Sequence, residues 1–324
     1  MPGFAKGLAV VTLLASWAFG MAAAAQPHGQ AAHATGASAS HVTGAPAAPP
    51  APPLPPAPPS PPWYRAPSTE LRLKDVAAIV HIIPENRADI SFSIANEGPL
   101  PTPEVHPTRT QLTIDGGLRR RIGVCNRDRD GFSVSVDGFG RVAEARLPVI
   151  VVRIPQAAVI DASGAVQMHV EPAQTLRLEI GGCGAAEVER VVGAADVSTA
   201  GGDMEVRLFD VGSIALREAG GGNVFLGAVR AGMDLSVAGA GDIVVTRADG
   251  PTNIAIQGSG DVVINGGHAS TLSVAIVGSG DVVHLGEADR LDAATFGSGD
   301  VRVRQVNGPV TKRIFGGGDV TVGQ

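Results

Sequence analysis

At 324 residues the chain is long enough for one elongated or two compact domains, with 43 glycines, 24 prolines, 4% aromatic and 17% charged residues. A hydrophobic content of 44% excludes wholesale disorder and requires a core of Val, Ile, Leu and Ala. The net charge of −6 excludes the basic footprint of a nucleic-acid or anionic-membrane binder.

Residues 1–25 read as a signal peptide. Lys6 gives the positive start, Leu8 to Phe19 the apolar stretch, and Ala23-Ala24-Ala25 the cleavage site. That stretch is too short to cross a bilayer of roughly 30 Å, and no other run reaches the ~18 apolar residues a helix needs. The mature chain is therefore expected to lack a transmembrane segment and to reside in the periplasm, the outer envelope or outside the cell. Residues 26–67 form a Pro/Ala-rich stretch with the run Pro49-Pro50-Ala51-Pro52-Pro53-Leu54-Pro55-Pro56. Proline lacks a backbone donor and fixes φ, so a disordered, semi-extended spacer is expected. His28, His33 and His41 in it read as isolated solvated side chains rather than a metal tract.

The remaining 68–324 should be the folded head. Its first part, up to about Pro155, alternates apolar and polar residues in Asp89-Ile90-Ser91-Phe92-Ser93-Ile94 and Gly131-Phe132-Ser133-Val134-Ser135-Val136. Period two means strands with one face inward, and the absence of the later glycine turn makes this a divergent β layer or cap. Asn126-Arg127-Asp128-Arg129-Asp130-Gly131, with Asp137 at the twelfth place, resembles the start of an EF-hand. Interleaved arginines and strand patterns on both sides favour a polar hairpin turn instead. Arg119-Arg120-Arg121 reads as a solvated turn, an anionic-glycan contact being the other reading. Cys125 and Cys183, the only cysteines, should pair after export and tie this layer to the array that follows.

Residues 155–324 are built on a repeat. Gly239-Ala240-Gly241-Asp242, Gly258-Ser259-Gly260-Asp261, Gly278-Ser279-Gly280-Asp281, Gly297-Ser298-Gly299-Asp300 and Gly316-Gly317-Gly318-Asp319 share one pattern. Gly201-Gly202-Asp203 and Gly221-Gly222-Asn223 extend it upstream, giving spacings of 20, 19, 19, 20, 19 and 19 residues. Weaker copies at Ser163-Gly164 and Cys183-Gly184 bring the turns to nine. The flanks alternate, as in Leu272, Val274, Ile276 before a turn and Val282, His284 after one. No helical periodicity is long enough to supply crossover helices. Short strands at constant spacing cannot bury their own faces but can when stacked, and parallel crossovers are right-handed. The expected fold is an all-β, right-handed parallel β-helix with 19–20-residue coils. Lys312, at a position occupied by Val274 and Ile254 in other copies, suits a terminal coil.

These Gly-Ser-Gly-Asp turns behind an export signal resemble the bacterial family "Putative auto-transporter adhesin, head GIN domain", over about 70–324. The resemblance implies a β-helical, envelope-associated or secreted module whose biochemical function is unestablished, adhesion being an expectation from the name.

Chemistry is sparse. In-register coils would line Asp203, Asn223, Asp242, Asp261, Asp281, Asp300 and Asp319 along one edge at about 4.8 Å. Those aspartates are the calcium candidates, calcium being the one cofactor such an edge could take. Calcium β-rolls, however, turn on both edges about every nine residues. The expectation is therefore no metal, with each carboxylate accepting N–H groups in its own turn and Gly241, Gly260, Gly280, Gly299 and Gly318 as structural turn residues. His268 and His284 are isolated and read as surface or structural. Few aromatics (Phe225, Phe296 and Phe315 being the clearest in the array), uniform short turns and no G-x-S-x-G, HExxH or phosphate loop argue against an enzyme. The reading is a noncatalytic, adhesin-like envelope module meeting an envelope protein, a glycan or another copy of itself. The alternatives are a calcium-stabilised β-roll and a carbohydrate-active β-helix enzyme.

Overall fold

Two features of the repeat dictate the backbone: alternating side chains that bury every second residue, and glycines where the chain changes direction. The computed structural model describes residues 62–128 and 131–323, with only the backbone at position 203. The chain divides into Met1–Ala57 and Pro58–Gln324. All described residues belong to the second unit, so the expected signal peptide, most of the linker and His28, His33 and His41 lie outside them.

The unit is a β-solenoid of about nine turns with parallel strands. In a typical coil, Met233–Gly239 leads into the glycine turn and Ile243–Ala248 leaves it. Each coil pairs in register with the next. Leu235, Ile254, Val274, Ala293 and Lys312 form one inward column. Ile243, Val262, Val282, Val301 and Val320 form another across the core. These columns are almost wholly buried up to the last coil, so the core is one continuous strip of aliphatic side chains. Among the described residues there is no α-helix; a 3-10 turn spans Glu144–Arg146. Lys312 lies at its expected place in the last coil, where its Nζ donates to the Val320 carbonyl at 2.5 Å across the end of the core.

The two glycines of each turn serve different needs. Gly239, Gly258, Gly278, Gly297 and Gly316 have φ of 137–147°, a region that L side chains rarely adopt. Gly241, Gly260, Gly280, Gly299 and Gly318 are required by crowding alone, which the first set shares. A Cβ on any of them would lie 2.1–2.2 Å from the carbonyl oxygen of the matching glycine one coil below.

The N-terminal segment is the divergent β layer that the sequence suggests. Coils begin before residue 155, because Glu70–Glu85 is already a full rung, paired in parallel with Ala157–Val170. Its other edge takes two separate segments, Gln111–Asp115 and Val149–Pro155, also in parallel. Where later coils use glycine, Asp75 takes φ 49°, a conformation Asp tolerates better than most residues, and its N–H donates to Ser163 Oγ at 3.2 Å. Antiparallel strands then cover the outer edge: Glu104–Pro107 on Gln111–Asp115, and Ile90–Ala95 on Val149–Pro155. Tyr64–Ala66 adds to Ile90–Ala95.

Ile122–Asp128, Gly131–Val136 and Gly140–Ala143 form a separate antiparallel sheet. Phe132, Val134 and Val142 from it bury against the outward face of the coils at Ala77, Ala165 and Cys183. The expected disulfide, Cys125–Cys183, joins the two across 58 residues. A loop of that length is worth about 4 kcal/mol in the chain-entropy picture.

Glycine crowding is directly testable. Gly280→Ala should destabilise by about 1–3 kcal/mol, as overpacking does. Gly317→Ala should be close to neutral, because its Cβ would meet nothing within 4 Å. Thermal unfolding of both variants checks this, and equal melts would refute it.

Candidate functional site

The turn aspartates form the most regular polar feature of the surface. Neighbouring carboxylates at the coil spacing of about 4.8 Å repel by about 0.9 kcal/mol in water. The backbone offsets this, but not as expected within each turn. Asp242 Oδ1 accepts the N–H of Asp261 in the next coil at 3.0 Å. Asp261, Asp281 and Asp300 do the same for Asp281, Asp300 and Asp319 at 2.8, 2.8 and 2.9 Å. Charge-assisted bonds of this kind contribute about 1.5–3 kcal/mol each, which offsets the repulsion. Asn223 starts the ladder with a longer bond to the Asp242 N–H, 3.4 Å. Asp319 bonds the Val320 N–H instead, at 2.8 Å. Arg302 adds a cation 2.7 Å from Asp300.

Asp203 is not a rung. It faces Cys183, while Glu205 is the residue that faces Asn223. From the positive-φ glycine to the ladder position there are three residues in the next coil (Gly220 to Asn223) but four here (Gly201 to Glu205). The register shift against Gly181–Cys183 marks this extra residue as a bulge. Glu205 pairs with Arg207 and, at 3.3 Å, with Arg127.

Calcium takes about six to eight oxygens, whereas each coil supplies one carboxylate with Oδ1 already engaged. Among the described residues no three His, Cys, Asp or Glu side chains converge as a metal site. The EF-hand-like run falls in a hairpin: Asp128 faces Gly131 across it and pairs with Arg141 at 2.6 Å, with 129 and 130 outside the described residues. In Arg119-Arg120-Arg121 the first two are exposed, and Arg121 stacks on Phe139 and bonds the Asp137 carbonyl at 2.7 Å.

Apolar columns flank the ladder on both sides. Before the turn, Val277, Phe296 and Phe315 stand in register, all about half exposed. The two rings stack at 4.8 Å, 7° from parallel. After it, Phe225, Val244, Val263 and Val283 form a second outward column.

Two ionisable groups interrupt the aliphatic core. Glu218 faces Val237 of the next coil, is 2% exposed, and its carboxyl makes no well-formed hydrogen bond among the described residues, the Gly222 N–H being a weak neighbour. Burial, with the nearby Asp242 charge, pushes its pKa above the usual 4.5. His284 stands between Ile264 and Val303, fully buried and with no well-formed hydrogen bond at either ring nitrogen, the backbone of His284 and Gly286 being weak neighbours. Burial pulls its pKa below 6.5, and Arg304 acts in the same direction. His268, by contrast, is exposed and lies 3.0 Å from Asp289.

The signs of the two shifts are opposite. The raised Glu218 contributes stability that is complete below pH 4.5 and fades as pH rises. The lowered His284 costs nothing above pH 6.5 and destabilises as pH falls below it. Glu218→Gln should therefore raise Tm at pH 7 but not at pH 4, and His284→Val should raise it more at pH 5 than at pH 8. Melting curves across pH check both, and parallel shifts at every pH would refute them. Calcium should leave the melt of the full chain unchanged relative to EDTA, whereas a chelator-dependent fall in Tm would place metal on the ladder.

Residues 233–324 match the family model described as "Putative auto-transporter adhesin, head GIN domain". A search of the curated proteins finds no match. Among solved structures, a putative adhesin from Parabacteroides distasonis ATCC 8503 is similar at 17% identity. The match covers 80% of this chain and 95% of that one, with a TM-score of 0.50. A putative adhesin from Bacteroides fragilis NCTC 9343 is 16% identical, covering 80% and 94%, with a TM-score of 0.35. At these identities the first likeness is one of fold. It is thus through residues 233–324, the last coils of the solenoid, that this chain matches the head GIN domain family.

Proposed function

We propose that the protein is an exported, noncatalytic, adhesin-like module of the cell envelope or surface that holds a partner on its repetitive β-face. The observation that carries this is the ladder edge. Stacking turns one polar residue per coil into a row of carboxylates and sets apolar columns on both sides. Val277, Phe296 and Phe315 are half exposed there, and exposed apolar groups in contiguous patches mark interaction surfaces. The names of the matched family and of the similar solved structures agree with adhesion. The partner in this reading is an envelope protein or glycan with an apolar strip beside hydrogen-bond donors that meet the carboxylate row.

Retention of the full chain on isolated envelope fractions tests the proposal. Phe296→Asp with Phe315→Asp should reduce retention at least tenfold. Ser270→Asp, exposed near the other turn of the coil, should not. Absence of retention by the unaltered protein, or equal loss in both variants, would overturn it.

A further inference from the structure

The molecule's scarcest residues gather at the opposite end from the family match. The chain has one tyrosine and two tryptophans. Tyr64 and Trp63 stand side by side at the first described strand, 53% and 46% exposed. Tyr64 stacks on Phe92 at 5.5 Å, which fixes the strand that carries them. Pairing then aligns Arg65 with Ser91, and Ser91 with Arg153, in one row across three strands. Trp63, two residues from Tyr64's other neighbour Arg65, shares that face.

Trp63, Arg65, Glu85, Arg87, Asp89, Ser91 and Arg153 line a cleft of about 470 Å³. Its cations are held in place before any ligand arrives. Arg87, only 13% exposed, donates to Asp89 Oδ1 at 2.9 Å, to Ser91 Oγ at 2.8 Å and to Glu85 Oε2 at 3.3 Å. Arg153 donates to Glu85 Oε1 at 3.1 Å and lies 4.7 Å from the Trp63 ring centre, while its Nε is buried without a partner. Arg65 is exposed and has no ion pair among the described residues. Three guanidinium groups face two carboxylates, so the cleft carries one uncompensated positive charge.

We infer that this cleft binds a carboxylated sugar, a uronate unit of an acidic polysaccharide. The half-exposed indole offers an apolar face for ring C–H groups. Arg65 supplies a planar fork for the carboxylate, and Asp89, Glu85 and Ser91 offer acceptors for hydroxyls. A simple anion would use the charge and leave the indole idle. A neutral sugar would use the indole and leave Arg65 unpaired. This assignment rests on the reading of the protein as an interaction module, and it names a ligand class and a place remote from the ladder edge.

Isothermal titration of the full chain with an oligogalacturonate tests it, with a neutral oligosaccharide of equal length and inorganic phosphate as comparators. The uronate should bind at least tenfold tighter than the neutral oligomer. Trp63→Ala and Arg65→Ala should each weaken it at least tenfold at unchanged Tm, and phosphate should not compete. No uronate binding, or binding that both variants retain, overturns the assignment. Equal competition by phosphate overturns it too, by making the cleft a plain anion site. Should the uronate fail while envelope fractions still retain the protein, the cleft assignment falls and the module reading stands.

Discussion

Each coil sits on the one below through a continuous parallel ladder, and at the glycine turns the two backbones come closer than any side chain allows. A Cβ on Gly260, Gly280 or Gly299 would stand about two ångströms from the carbonyl beneath it, well inside van der Waals contact. That approach keeps the coils in register, and register makes columns. The aliphatic strip of the core, the carboxylate row and the apolar columns beside it all follow from stacking like on like. A thin core of Val, Ile and Leu suffices because every coil shares it with two neighbours.

Like-on-like stacking also creates the molecule's electrostatic problem. The turn aspartates solve it by handing each carboxylate to the N–H of the next rung, so that the charge bonds the coils it would otherwise push apart. Inside the core there is no such remedy. Glu218 and His284 occupy aliphatic columns without well-formed hydrogen bonds, and burial drives both toward their neutral forms. Their shifts have opposite consequences for stability, so each narrows a different side of the pH range in which the solenoid is most stable.

The two ends are treated differently. At the start, Glu104–Pro107, Ile90–Ala95 and Tyr64–Ala66 add antiparallel strands over the parallel edge. This places the only tyrosine and an exposed tryptophan beside a set of fixed arginines. In the last coil, Lys312 takes an inward position and reaches the Val320 carbonyl, an inward charge of the kind that discourages edge-to-edge pairing.

By itself the sequence determined the repeat, its strand-turn-strand unit, the solenoid and the Cys125–Cys183 link. Period-two burial and glycine at fixed spacing are local properties, and identical local units stack in only a few ways. Tertiary structure decided what depends on register. It moved the ladder position from Asp203 to Glu205, because one extra residue in a turn is invisible until the neighbouring coil is laid against it. It made Glu70–Glu85 the first full rung, flanked by segments that lie roughly 40 and 70 residues further along the chain, a pairing that no periodicity announces. It turned the aspartate bonds from within a turn to between turns, and it gathered Trp63 with Arg65, Arg87 and Arg153 from two strands and two non-strand segments. Spacing along one chain fixes what each coil is; only contact between coils fixes which side chains meet.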